Sequence, residues 1–115
     1  YRHRIFIEDL RDHIQELKAH IPFGIVAVND FIALECIRLL KEEGIKVGEE
    51  AGVVGFDNTP EGAFASPPLT TVVQNAKLIG MGAAKHLIAR LSGRNPQFSR
   101  IILPTQIMLR KSCGE

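Results

Sequence analysis

The sequence of 115 residues lacks tryptophan, has one tyrosine and holds only two cysteines, Cys36 and Cys113. The cysteines form no CxxC pair and have no histidine at zinc-ligand spacing, which excludes a zinc-finger-type site. Cys36 falls inside a helical pattern among apolar neighbours and reads as a small core or interface residue. Cys113 lies near the end of the chain and reads as exposed. Two unpaired thiols fit a reducing compartment. Excess charge is also missing. Net charge is +1, so no large field gathers nucleic acid or an anionic membrane. The short terminal cluster Arg2-His3-Arg4 reads as solvated. No apolar run is long enough to span a bilayer. No signal-peptide pattern, internal repeat or low-complexity segment is present.

The motifs of catalysis are missing as well. There is no Ser-His-Asp order with a nucleophile elbow, no phosphate-binding glycine loop and no metal pair. His13 and His20 lie seven residues apart on a predicted helix, too far for one metal. His86, beside Lys85, reads as solvated. A phosphoacceptor reading of Asp57, with Thr71 and a downstream lysine, lacks its acidic pair, because Asp30 stands alone. These absences favour binding over catalysis, with no cofactor and no metal.

What is present is an alternation of apolar runs and helical periods. Arg4 to Ile7 reads as a short strand or lead-in. From Glu8 the residues Leu10, Ile14, Leu17 and Ile21 recur at helical spacing, and Pro22 ends that helix. Gly24 to Val28 reads as a short buried strand, followed by a helix over about 31–43 with Asp30 as its N-cap. Gly44 stops this helix in the left-handed region. Ala51 to Phe56 is a second buried strand. Residues 58–69 form a loop with room for one helical turn around Glu61 to Phe64. Thr70 to Val73 is a third strand, rich in β-branched residues. A long helix covers about 75–91, with Ile79, Ala83, Ala84, Leu87, Ile88 and Leu91 facing inward. Gly80 in it implies close packing against the sheet. Gly93 stops it, and Asn95-Pro96 starts the next turn. Arg100 to Leu103 and Gln106 to Arg110 read as short strands separated by Pro104. The order predicts an α/β fold: a three-layer α/β/α sandwich around a mainly parallel sheet.

Three of these strands end in polar residues: Asn29-Asp30, Asp57-Asn58 and Gln74-Asn75. In a parallel sheet the three ends lie along one edge, where open α/β sheets bind their ligands. The stretch VVGFDNTP is the clearest case, an apolar strand that terminates in a carboxylate. Asp57 alone is readable as turn chemistry. A carboxylate flanked by amides also matches a polyol, because the acid accepts from hydroxyls while amides both donate and accept.

The segments AVNDFIALECIRLLKEEGIKVGEEAGVVGFDNTP, SPPLTTVVQNAKLIGMGAAKHLI and IILPTQIMLRKSC resemble the C-terminal lobe of the effector-binding domain of the lactose/galactose repressor family. That family shares its fold with periplasmic sugar-binding proteins, and the resemblance covers residues 10 to 113. It implies that residues 1–115 are one lobe of a sensor that closes on a small, sugar-like effector. Asn29, Asp57 and Gln74 match the family's ligand contacts. Phe31, Leu34, Glu35, Arg38, Ala63 and Phe64 match its dimer surface. Glu35 departs from the pattern, where a small residue is usual, and Asn75-Ala76 lack the aromatic that some members carry. The implied protein is a cytoplasmic transcriptional regulator, dimeric and not membrane-bound. It would touch DNA only through a helix-turn-helix outside this chain. The opening at Tyr1, in ordered-looking sequence, implies the middle of a longer protein. The alternative within the fold is a periplasmic sugar receptor of a transporter, using the same three residues.

Overall fold

The apolar runs GIV and VVGF become neighbouring strands; VVGF is buried or half-buried throughout, while Val26 of GIV stays exposed. The computed structural model describes residues 2–94 and 100–114, with side chains from Glu8 onward. The elements are α1 (Arg2–Lys18), β1 (Phe23–Val26), α2 (Asp30–Glu42), β2 (Ala51–Phe56), α3 (Pro60–Phe64), β3 (Thr70–Val73), α4 (Ala76–Leu91) and β4 (Gln106–Met108). A single 3-10 turn follows at Lys111–Cys113. The sheet has the order β1-β2-β3-β4. β1 and β2 run parallel with Ile25 opposite Val53, and β2 and β3 run parallel with Phe56 opposite Val72. The fold is therefore α/β with a mostly parallel sheet.

The chain divides into two compact units, Tyr1–Val73 together with Ile107–Glu115, and Gln74–Gln106. The first unit holds the core. Ile14 of α1, Ile32, Cys36, Leu39 and Leu40 of α2, and Val53 of β2 are all buried. Cutting any of these leucines to alanine removes about 2–5 kcal/mol of stability. Burial alternates along β2: Ala51, Val53 and Gly55 are buried, and the residues between them are half-buried. One face of the strand is thus fully packed, where the sequence implies cover on both.

Several expectations are corrected. Arg4 to Ile7 is helical, because the first turns of α1 begin at Arg2. Asn29, not Asp30, caps α2: its side-chain oxygen accepts the Ile32 N–H at 2.9 Å. Arg100 to Leu103 is not a strand, and β4 spans only Gln106–Met108. β-branched residues make a strand only where a neighbour offers hydrogen bonds, and Pro104 removes a donor. No residue of α4 is buried, so the inward face expected there is absent. A unit of this size cannot wrap a helix of 16 residues. A methyl group on Gly80 would meet open space, so no close approach explains that glycine. Gly44 and Gly93 do stop their helices, at φ of 74° and 71°. The turn expected at Asn95-Pro96 lies outside the described residues.

Candidate functional site

β1 and β2 are parallel neighbours, so their carboxyl ends lie side by side. Asn29 follows the end of β1 by three residues and Asp57 follows β2 directly. Asn29 is half-buried, and the bond to Ile32 commits its oxygen to the helix. Its amide hydrogens are the groups it can offer a ligand. Asp57 is exposed, and its N–H donates to the Val72 carbonyl at 2.9 Å, extending the β2–β3 ladder by one bond. Its φ is 112°, a region nearly reserved for glycine, and Asn58 follows at 56°. A non-glycine residue there stores about 1–3 kcal/mol of strain, held in place by its surroundings.

Those surroundings come from three directions. The Asn58 N–H donates to the Thr71 hydroxyl at 3.2 Å. The Asn58 side-chain oxygen accepts from Arg110 Nη2 at 2.8 Å, and Arg110 Nη1 donates to the Leu69 carbonyl at 2.7 Å. The Thr59 N–H donates to Asp30 Oδ2 at 2.7 Å. The turn that carries Asp57 is thereby fixed to β3, to the end of the chain and to the start of α2.

Asp30, Thr71, Arg110 and Ser112 were not singled out by the sequence as parts of this arrangement. Asp30 is fully buried. Its Oδ1 accepts the Thr71 hydroxyl at 2.5 Å. Ser112 stands between β2 and β3: its hydroxyl accepts the Thr70 N–H at 2.8 Å and donates to the Val53 carbonyl at 2.6 Å. The only sequence signal for the last two was the LRKS stretch, which carries both Arg110 and Ser112.

Gln74 follows β3 directly and is the first residue of the second unit, where it is half-buried. Asn75 caps α4 by accepting the Leu78 N–H at 3.0 Å. Within this unit a groove of about 700 Å³ runs between α4 and residues 100–105, touching Gln74, Ile79, His86, Arg90 and Leu103. Among the described residues no group of three or more His, Cys, Asp or Glu could hold a metal ion. None of the described helices is long and apolar enough to cross a membrane.

The six residues matched to a dimer surface lie on α2 and α3. Phe31 is 62% exposed and Phe64 89%, while Leu34 and Ala63 are half-buried. Leu34 also packs against the core. Arg38 donates to Glu35 at 3.0 and 3.1 Å and to Glu42, an ion-paired row along the exposed side of α2. The bonds to Glu35 hold the Arg38 guanidinium above its ordinary pKa. Behind this row, burial pushes the Cys36 thiol up to about 11, with the Glu35 charge adding to the effect.

Residues 1–113 match the family model of the periplasmic binding protein-like domain. The HTH-type transcriptional repressor MelR of Bacillus subtilis (strain 168) is 36% identical over 98 residues, covering 84% of this chain and 28% of that protein. Among solved structures, a transcriptional regulator CelR–cellobiose complex superimposes with a TM-score of 0.80 at 30% identity, over 92% of this chain and 31% of that one. A lac repressor dimer bound to operator and the anti-inducer ONPF gives 0.82 at 28% identity, over 93% and 32%. The chain thus spans about a third or less of these three relatives.

Proposed function

Because the chain belongs to the periplasmic binding protein-like family, we propose that it is the C-terminal lobe of the effector sensor of a lactose-repressor-type transcriptional regulator. The observation that carries the reading is Asp57, a strained carboxylate exposed at the carboxyl end of a parallel strand and braced from three sides. Strain that the surroundings hold in place is characteristic of ligand sites.

The effector is a sugar or sugar derivative. Asp57 accepts from its hydroxyls through charge-assisted bonds, Asn29 donates its amide hydrogens, and Gln74 both donates and accepts. A second lobe of the longer protein closes over the sugar, since a clamp gains most of its affinity by burying the ligand surface. The apolar side chains of α4, none of them buried, pack with further parts of that longer protein. Phe31 and Phe64 pair with their counterparts in a second copy, because two exposed aromatics on adjoining elements are apolar surface that a partner would cover. Effector binding changes this pairing, and DNA-binding heads outside this chain change their grip. The reading includes a cytoplasmic location, no catalysis and no cofactor.

The named relatives are DNA-binding regulators, which favours this reading over a transport receptor. The test is a gel-shift assay of the full-length protein with its upstream DNA, repeated with a panel of mono- and disaccharides that includes cellobiose. A regulator retards the DNA, and one sugar alters the retardation. A protein that binds a sugar and never retards DNA contradicts the regulator reading and favours the transport receptor.

A further inference from the structure

Five parts of the first unit meet at one buried carboxylate. Asp30 opens α2 and is fully buried. One of its oxygens accepts the N–H of Thr59, the residue just before α3, and the other accepts the Thr71 hydroxyl of β3. Gly55 of β2 lies flush against it, so that a methyl group there would collide with the Asp30 carboxylate. A methyl group on Gly62 of α3 would stand 3.4 Å from Asp30 Oδ2. Two strands and two helices are therefore registered by a single side chain, together with the turn between Asp57 and Thr59.

The neighbours of this side chain give the arrangement a consequence. Upstream of Thr59 sit Asn58 and the strained Asp57. Thr71 receives the Asn58 N–H with the same oxygen whose proton goes to Asp30. Next to Asp30 in the chain is the exposed Phe31, and α3 ends at the exposed Phe64. The ligand end and the pairing surface are thus joined through one carboxylate whose two oxygens are both committed.

We infer that Asp30 is a positioning residue that couples the Asp57 turn to the α2/α3 surface. The inference rests on the reading of Asp57 as an effector contact and of that surface as a pairing face. A change in the turn moves the Thr59 N–H and the Thr71 hydroxyl. The carboxylate follows these donors, because an unpaired buried charge is costly. α2 and α3 then shift together. The element has two ends, and both bias one arrangement, which is the requirement for coupling between sites.

The test needs no effector. In the full-length protein, the dimer dissociation constant is measured by sedimentation equilibrium for wild type, Asp57→Gly, Asp30→Asn and the double variant. Glycine at 57 accepts the positive φ without strain and so loosens the turn. Urea midpoints of the same four proteins report any plain loss of stability. The expected result is a shift of about fivefold or more in Kd on Asp57→Gly alone, within the range of measured coupling between residues in one network. In the Asp30→Asn background the same substitution shifts Kd by less than about twofold. Thr71→Val, which cuts the link between Asn58 and Asp30 at constant shape and leaves the Thr59 N–H bond, replaces Asp30→Asn should that variant not fold, and is then expected to reduce the Asp57→Gly shift rather than abolish it. An equal shift in both backgrounds, or none in either, overturns the inference while leaving the pairing reading intact. A full-length protein that stays monomeric overturns the pairing reading itself and the coupling with it.

Discussion

The guanidinium of Arg110 donates to the side-chain oxygen of Asn58 at 2.8 Å across a separation of 52 residues. The C-terminal stretch that carries Arg110 thus braces the turn that holds Asp57. Its neighbour Ser112 does similar work lower in the sheet, standing between Thr70 and Val53.

Replacing Ser112 with alanine takes the acceptor from the buried Thr70 N–H and the hydroxyl donor from the Val53 carbonyl, which keeps only the weaker Cys113 thiol contact at 3.6 Å among its side-chain partners. The expected loss is about 1–3 kcal/mol, the usual penalty for a buried polar group left unpaired. Urea unfolding of the full-length protein with Ser112→Ala measures it. Threonine at 112 restores the hydroxyl and should recover part of the loss.

Two glycines predict opposite outcomes for the same substitution. Gly55→Ala drives a methyl into the Asp30 carboxylate and should cost about 1–3 kcal/mol, as overpacking does. Gly80→Ala, inside α4 and facing open space, should gain about 0.4–1 kcal/mol by restricting the unfolded chain. Thermal unfolding of both variants, compared with wild type, separates them by sign.

The buried Cys36 thiol predicts a pH window. Its folded pKa is raised to about 11 from an ordinary 9.0, with burial as the main cause. A group whose folded pKa is raised contributes stability that is complete below its unfolded pKa. That stability is lost as pH climbs from about 9 toward 11, because the unfolded chain releases the proton first. Cys36→Ala should flatten the fall in urea midpoint across that range. At pH 8 a thiol reagent should label the exposed Cys113 well before Cys36.

Much of this fold could be read in the chain because it rests on local patterns. VVGF lies in β2, and GIVAV overlaps β1 only in part, since β1 spans Phe23–Val26 and Val26 and Val28 are exposed where a buried strand over 24–28 is expected; the period of Ile32, Cys36, Leu39 and Leu40 gives α2. The resemblance to lactose-repressor-type regulators was legible in the same way, through motifs that sit at strand ends. Asp30 was misread because an acid at a helix start looks the same whether it caps the helix or is buried beneath a neighbouring turn. Arg110 and Ser112 act across 40 residues or more, a range that local spacing does not report. The periodicity of α4 promised burial, yet burial depends on what lies opposite, and the Gln74–Gln106 unit supplies too little.

The carboxylate of Asp57 decides whether this lobe holds a sugar. A panel of mono- and disaccharides, cellobiose among them, is titrated calorimetrically into the full-length protein and its Asp57→Ala variant. One sugar is expected to bind the wild type. Removing the carboxylate should weaken that sugar by about tenfold to a hundredfold, since hydrogen bonds to a charged group contribute about 1.5–3 kcal/mol. A sugar that binds both proteins equally well, or a panel in which nothing binds, would contradict this role for Asp57.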